Sequence, residues 1–274
     1  MQNNKIIGFI GVGNMASSII TGLLANNYKT KNIKISDVDE NLLLARKTQF
    51  NGIEGFDNNI ELAKASDVLI LAVKPNQIQN VCNKINSNTD NKLIISIAAG
   101  VRESDINNWL GNNRAIVRAM PNTPALVKSG ASGLYANKYA SDGDKQLAES
   151  ILRAVGLTLW VDDEDKLDII TALSGSGPAY LFLLMEAMTK TAIELGLSKE
   201  QAHVLTVQTA VGASKIAEIS DDDCRELRKK VTSPNGTTEA AIKIFKNKDF
   251  ENIVKDAINA AHKRTKEIAK ELSS

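Results

Sequence analysis

The sequence has almost no excess of charge of either sign: 33 lysines and arginines stand against 32 aspartates and glutamates, a formal net charge of +1. Without a basic surplus there is no electrostatic footprint for nucleic acid or an anionic membrane surface, and neither partner is expected. Cysteine is scarce. Cys82 and Cys224 lie in different halves, with no Cys-x-x-Cys pair and no flanking histidines, which reads as reduced structural thiols and no metal site. Long uninterrupted apolar runs are missing too. The most apolar segment, Ala179 to Leu195, is broken by Glu186, Lys190 and Glu194, too polar at mid-depth for a membrane span. The polar start Met1 to Lys5 lacks the basic segment and cleavage site of a signal peptide, so a cytoplasmic location is expected. His203 and His262 are the two histidines; both sit in helical patterns remote from every motif below and read as structural.

What is present is an alternation. Short β-branched runs at Lys5–Ile10, Ile33–Ser36, Asp67–Val73, Lys92–Ala98 and Ala115–Arg118 are separated by helical periodicities at Ser17–Leu24, Asn41–Phe50, Gln77–Ile85 and Glu103–Leu110. That order implies βαβ units on a parallel sheet, with the almost continuously apolar Val68–Val73 and Leu93–Ala99 as central strands. After about Trp160 the strand-like runs stop. Two domains are therefore expected: an α/β, doubly wound dinucleotide-binding domain over residues 1–161, and an all-α domain over 162–274. Within the second, Glu186, Lys190 and Glu194 form one narrow polar stripe on the otherwise apolar helix Pro178–Leu195. A helical domain of roughly 110 residues cannot enclose such a cylinder alone, so a second subunit is expected to cover it.

The segment from Lys5 to Ala16 sets Gly11, Gly13 and Ala16 between the first strand and the first helix, the dinucleotide fingerprint of a Rossmann-type fold. Gly11 permits the tight turn, Gly13 lets the backbone approach a pyrophosphate, and Ala16 allows close helix packing. The helix start then offers N–H groups to the phosphates. Asp37, some twenty residues past the glycines, stands where a carboxylate bonds the adenosine ribose 2′-hydroxyl. It tilts the cofactor toward NADH, while Ser36 and Arg46 keep NADPH open.

Four further segments stand out: Ala72-Val-Lys-Pro75, Ala119-Met-Pro-Asn-Thr-Pro124, Ser174-Gly-Ser-Gly-Pro-Ala-Tyr180 and Ser233-Pro-Asn-Gly-Thr-Thr238. In this order after the glycine turn, with Ile97-Ala-Ala-Gly100 and Glu226-Leu-Arg-Lys-Lys-Val231, the whole chain resembles the pyrroline-5-carboxylate reductase family. The resemblance implies an NAD(P)H-dependent oxidoreductase acting on a C=N bond in the last step of proline biosynthesis. It implies a homodimer through the C-terminal helical domain, and in many members a decamer of five dimers. It implies cofactor contacts at Gly11, Val12, Gly13, Asn14, Met15 and Ala16, at Ser36 and Asp37, at Asn59, at Ala72, Val73, Lys74 and Pro75, and at Ala98 and Ala99. Substrate contacts are implied at Ser233, Gly236, Thr237, Thr238 and Glu164. The sequence departs from the family's pattern at Asn235, where glycine is common, and at Lys230, which replaces an asparagine of some members. Asparagine tolerates a left-handed conformation, so the loop is expected to survive.

In chemical terms Ser233–Thr238 opens a helix, and its backbone N–H groups from Gly236 and Thr237 with the Ser233 hydroxyl suit a carboxylate. Thr238 is then the catalytic candidate, orienting the imine nitrogen. Two other readings carry fewer of the motifs. A β-hydroxyacid dehydrogenase relative would need a lysine acid in the helical half, where the long helix offers Lys190. A redox sensor that binds NAD(H) without turnover would need no carboxylate site.

Overall fold

The computed structural model describes residues 4–273; residues 1–3 of the polar start and residue 274 at the chain's end lie outside the described residues. The chain divides into two compact units, Met1–Ser176 with Ala261–Ser274, and Gly177–Ala260.

The first unit is built on an eight-stranded sheet in the order β3-β2-β1-β4-β5-β6-β7-β8. Its strands are β1 (Ile7–Ile10), β2 (Ile33–Ser36), β3 (Glu54–Phe56), β4 (Val68–Leu71), β5 (Leu93–Ser96), β6 (Ala115–Met120), β7 (Gly130–Ala136) and β8 (Gly156–Trp160). The helices crossing over it are α1 (Asn14–Ala25), α2 (Glu40–Gln49), α3 (Asn59–Lys64), α4 (Ile78–Ile85), α5 (Glu103–Trp109) and α6 (Asp142–Arg153). β1 and β4 are buried along their whole length, as strands covered on both faces must be. Two apolar clusters lie on opposite faces of the sheet. One gathers Ile7, Phe9, Ile19, Ile35, Ile70 and Val117; the other gathers Ile10, Leu69, Leu71, Ile78, Ile94 and Ile116. The alternation of neighbouring strand residues between the two clusters is the period-2 geometry of the pleat.

Every pairing is parallel except that of β6 with β7, which is antiparallel. The expected parallel sheet is thus extended by a hairpin-like return and by an edge strand, β8. The five expected strands and four expected helices are all present. Three strands (β3, β7, β8) and two helices (α3, α6) are additional.

Beyond Trp160 the chain is helical, in α7 (Lys166–Ile170), α8 (Gly177–Glu194), α9 (Lys199–Ile219), α10 (Cys224–Lys230), α11 (Thr237–Asn247) and α12 (Phe250–Ser273). Between α7 and α8, Thr171–Gly175 forms one π-helical turn, closed by Ser176 N–H to the Thr171 carbonyl at 2.9 Å. Helix α8 has no buried residue, and in the unit Gly177–Ala260 only Ala202 and Thr206 of α9 are buried. Leu181, Phe182 and Leu183 are each more than half exposed, at 59%, 65% and 68%. A helical unit with no core of its own needs a further protein surface over its apolar faces. The run Lys166–Glu194 is long and apolar enough, by length and composition, to cross a membrane. Its start, however, is tied to the first unit: Asp168, 1% exposed, accepts from Arg102 Nη2 at 2.6 Å.

The expected division at residue 161 follows the end of the sheet, whereas the compact units part fifteen residues later, because α7 packs against β7.

Candidate active site

The ends of β1, β2, β4 and β5 lie in register, with Ile10 opposite Ser36 and Leu71, and Leu71 opposite Ser96. The segments that follow these strands, Gly11–Ala16, Asp37, Ala72–Pro75 and Ala98–Ala99, are therefore brought to one edge of the sheet. The ladder runs one step past the strands: Gly11 N–H donates to the Ser36 carbonyl at 2.8 Å, Ala72 N–H to Ile10 at 2.8 Å, and Ile97 N–H to Leu71 at 3.1 Å. β1 sits between β2 and β4, so chain order reverses here, and in open α/β sheets this is where a ligand binds.

The two glycines of the turn have different physical roles. Gly11 has φ +91°, and a Cβ on it would lie 2.8 Å from the Ala72 carbonyl carbon and oxygen. Gly13 would meet nothing within 4 Å. It is the N-cap of α1 and supplies no side-chain cap, so the first N–H groups of the helix remain free for an anion. An open cradle followed by an uncapped helix start fits a dinucleotide pyrophosphate. Asp37 Oδ2 accepts from Val12 N–H at 2.8 Å and Oδ1 from Asp39 N–H at 3.0 Å. Ser36, buried, donates its hydroxyl to Asn59 Oδ1 at 2.7 Å, which locks these two expected cofactor positions to each other.

Ser233–Thr238 lies in the other unit. Asn235 has φ +60°, the left-handed conformation expected of it in place of glycine. Its N–H donates to Glu239 Oε2 at 2.8 Å. Gly236 is the N-cap of α11, Thr237 its first residue and Thr238, half-buried, its second. The Gly236 N–H donates to the Ser233 carbonyl at 3.1 Å, which corrects the expectation that it is free to hold a carboxylate: a tight turn uses it. The donors at this helix start are instead the N–H groups of Thr237 to Glu239, which have no intrahelical acceptor. Lys230 pairs with Asp222.

Glu164 is in the first unit and is held rather than free. Its Oε1 accepts from Arg118 Nη1 at 2.6 Å and from Glu103 N–H, at the start of α5, at 2.7 Å. Glu103 in turn accepts from Asn137 Nδ2 at 2.6 Å. Burial pushes the Glu103 carboxyl above its ordinary range, opposed by the Asn137 hydrogen bond and reinforced by the nearby Glu164 charge. Arg118 is one supporting residue that pattern reading passes over, although a charge inside the apolar run Ala-Ile-Val-Arg-Ala-Met is a signal. Asn122 is another. Its Nδ2 donates to the Ser174 carbonyl at 2.9 Å and its Oδ1 accepts from Ala131 N–H at 2.8 Å, clamping the loop after β6 to the π-helical turn. Lys190 and His203 line a groove of about 810 Å³ within the helical unit, together with Glu186 and Glu194.

Comparison with known proteins matches two parts of the chain to two different family models. Residues 164–268 match the family model described as pyrroline-5-carboxylate reductase dimerisation, and residues 6–100 match that described as NADP oxidoreductase, coenzyme F420-dependent. The chain is 48% identical over 267 residues to the pyrroline-5-carboxylate reductase of Pseudomonas aeruginosa, covering 97% of each. It is similar to the solved structure of a pyrroline-5-carboxylate reductase from Coxiella burnetii, at 45% identity and a TM-score of 0.92, covering 97% of this chain and 98% of that one. It is also similar to the Plasmodium falciparum pyrroline carboxylate reductase solved with NADP bound, at 30% identity and a TM-score of 0.88, covering 98% and 100%. Near-complete coverage at this identity, on a chain whose glycine turn and helical unit have the geometry described, leaves one conclusion: the chain belongs to the pyrroline-5-carboxylate reductase family.

Proposed function

We infer that the chain performs its family's reaction, reducing 1-pyrroline-5-carboxylate to L-proline as the last step of proline biosynthesis. The observation that carries this reading is the convergence of four segments on the edge where β1 meets β4, with an open position at Gly13 above an uncapped helix. When bound there, the nicotinamide dinucleotide supplies a hydride, which adds to the imine carbon while the ring nitrogen keeps the proton of the iminium form. The protein's own task is positioning. Gly11–Ala16 receive the pyrophosphate, Asp37 faces the adenosine ribose with Ser36 and Asn59 behind it, and Ala72–Pro75 with Ala98 and Ala99 line the edge toward the nicotinamide. The Ser233 hydroxyl and the N–H groups of Thr237 and Thr238 hold the substrate carboxylate, and the Thr238 hydroxyl orients the imine nitrogen. Glu164 supports the substrate side through its pair with Arg118.

The substrate loop and the cofactor turn meet in a homodimer formed through the helical domain over residues 162–274, the loop of one subunit completing the site of its partner, with decamers of five dimers as the larger assembly. The scarcity of buried residues in the helical unit supports this. The reaction belongs in the cytoplasm, where a thiol such as Cys82 stays reduced. Asp37 favours NADH, because its charge opposes a 2′-phosphate. The test follows oxidation of NADH and NADPH with pyrroline-5-carboxylate, with a β-keto acid and with no substrate, alongside light scattering of the same sample. Turnover with the imine alone and a higher kcat/KM for NADH are expected; no turnover with either cofactor would refute the reading.

A further inference from the structure

We propose that Arg46, on α2, is a positioning residue for the cofactor turn and acts through Val12 rather than by reading the cofactor. The inference rests on Gly11–Ala16 being the dinucleotide turn.

Val12, buried between the two glycines, has both its backbone polar groups held by charged side chains from outside the turn. Its N–H donates to Asp37 Oδ2 at 2.8 Å and its carbonyl accepts from Arg46 Nε at 3.0 Å. A peptide unit is planar and trans, so a carbonyl and the next N–H point in opposite directions. Holding the Val12 carbonyl toward Arg46 therefore sets the direction of the Gly13 N–H, one of the donors of the turn. Gly13 itself, with no Cβ and open space around it, has no packing to fix its orientation. The clamp supplies that order before any ligand arrives, and preorganised donors bind without a further ordering cost.

The remaining nitrogens of Arg46 are also engaged. Nη1 donates to Gln49 Oε1 at 2.6 Å, on its own helix, and Nη2 reaches Asn14 Oδ1, on the first residue of α1, at 3.5 Å. A guanidinium held at all three nitrogens is a strut between α2 and the turn. These bonds use three of its five N–H donors, and the one that sets the turn, from Nε to the Val12 carbonyl, does not depend on what the outer N–H groups meet. Its loss should then weaken NADH and NADPH alike, whereas a residue that read the 2′-phosphate would affect NADPH alone.

Direct binding separates the possibilities. Wild type, Arg46→Met and Arg46→Lys are titrated with NADH and with NADPH by cofactor fluorescence in the absence of substrate, and the cofactor-free melting temperature of each is recorded. Arg46→Met should raise Kd for both cofactors by the same factor, about tenfold for loss of a charge-assisted hydrogen bond. Its kcat at saturating cofactor should stay within about twofold of wild type, because cofactor occupancy and not chemistry is affected. Arg46→Lys should recover less than half of the lost affinity, since an ammonium keeps the charge but not the planar fork. If Arg46→Met fails to fold, the equal rise for both cofactors is read from Arg46→Lys. A loss confined to NADPH, unchanged Kd for both cofactors, or full recovery by lysine would each overturn the proposal. A wild type that binds neither dinucleotide would instead refute the assignment of the turn itself.

Discussion

Gly11 and Ala72 touch so closely that a Cβ on the glycine would lie 2.8 Å from the alanine carbonyl. The contact joins the ends of β1 and β4, and it separates two glycines that look equivalent in the motif. Gly11→Ala should destabilise the fold by about 1–3 kcal/mol from the left-handed backbone alone, with the clash adding to it. Gly13→Ala should leave the cofactor-free melting temperature within a degree or two of wild type and weaken dinucleotide binding, because its Cβ enters open space that the pyrophosphate would occupy. Urea unfolding and cofactor titration of the two variants check this. A Gly13→Ala protein with undiminished cofactor affinity would contradict the role given to that position.

Arg118 and Glu164 form an ion pair whose side chains are 5% and 18% exposed. Arg118→Met strands the Glu164 carboxylate with the Glu103 N–H as its remaining described donor, and should cost about 3–5 kcal/mol in urea unfolding at neutral pH. Glu164→Gln keeps an oxygen for both donors and should cost well under half of that. If Glu164 serves the substrate side only through this pair, Glu164→Gln raises KM for the imine no more than a fewfold. A loss of 100-fold or more at an unchanged melting temperature would make it a direct substrate ligand.

The parts of the fold legible in the sequence are those whose pattern is local. β1, β4 and β5 are continuous apolar runs, and the glycine turn is a contiguous motif. β7 is hidden because its sequence, Gly-Ala-Ser-Gly-Leu-Tyr-Ala, is dominated by small residues that read as a loop. The reason is tertiary: a Cβ on Gly130 would lie 2.9 Å from the Val155 carbonyl, and one on Gly133 would lie 2.6 Å from Ile170. Val155, the residue before β8, and Ile170 of α7 pack where those side chains would be. α6 has a readable start, since Ser141 and Asp144 form a capping box, but the polar residues that make up most of the helix conceal its core face of Ala148, Ile151 and Leu152. At the site, the residue types of the cofactor edge are legible because they follow strand ends. Their bonding is not: that Asp37 holds Val12, that Ser36 holds Asn59, and that the Gly236 N–H turns back to Ser233 depend on side-chain and backbone directions that no spacing encodes.

Glu103 gives a pH signature of its own. Its folded-state pKa is raised above the ordinary 4.5, chiefly by burial, so the folded protein holds this proton more tightly than the unfolded chain does. The group therefore adds nothing unfavourable below pH 4.5, and its ionisation destabilises the fold as pH rises through the folded value. Glu103→Gln keeps an acceptor for Asn137 and removes the charge. Its stability relative to wild type should rise with pH from about 4.5 upward and then level off. Urea midpoints of the two proteins between about pH 4 and 8 measure this, and a difference independent of pH would contradict it.

Thr238 is the remaining residue to which the proposed function gives a chemical role. It is the second residue of α11, half-buried, and no histidine belongs to the segments of the proposed site. A protonated imine needs no acid from the protein, because it brings its proton from water and becomes a neutral amine on accepting the hydride. The hydroxyl then contributes orientation, worth about one hydrogen bond, and Thr238→Ala should lower kcat/KM by about tenfold. The residual activity should rise as pH falls, since the protonated fraction of the imine grows. Thr238→Ser, which keeps the hydroxyl, should recover most of the loss. Were the hydroxyl the obligatory proton donor, turnover of Thr238→Ala would vanish at every pH, and acidification would not restore it.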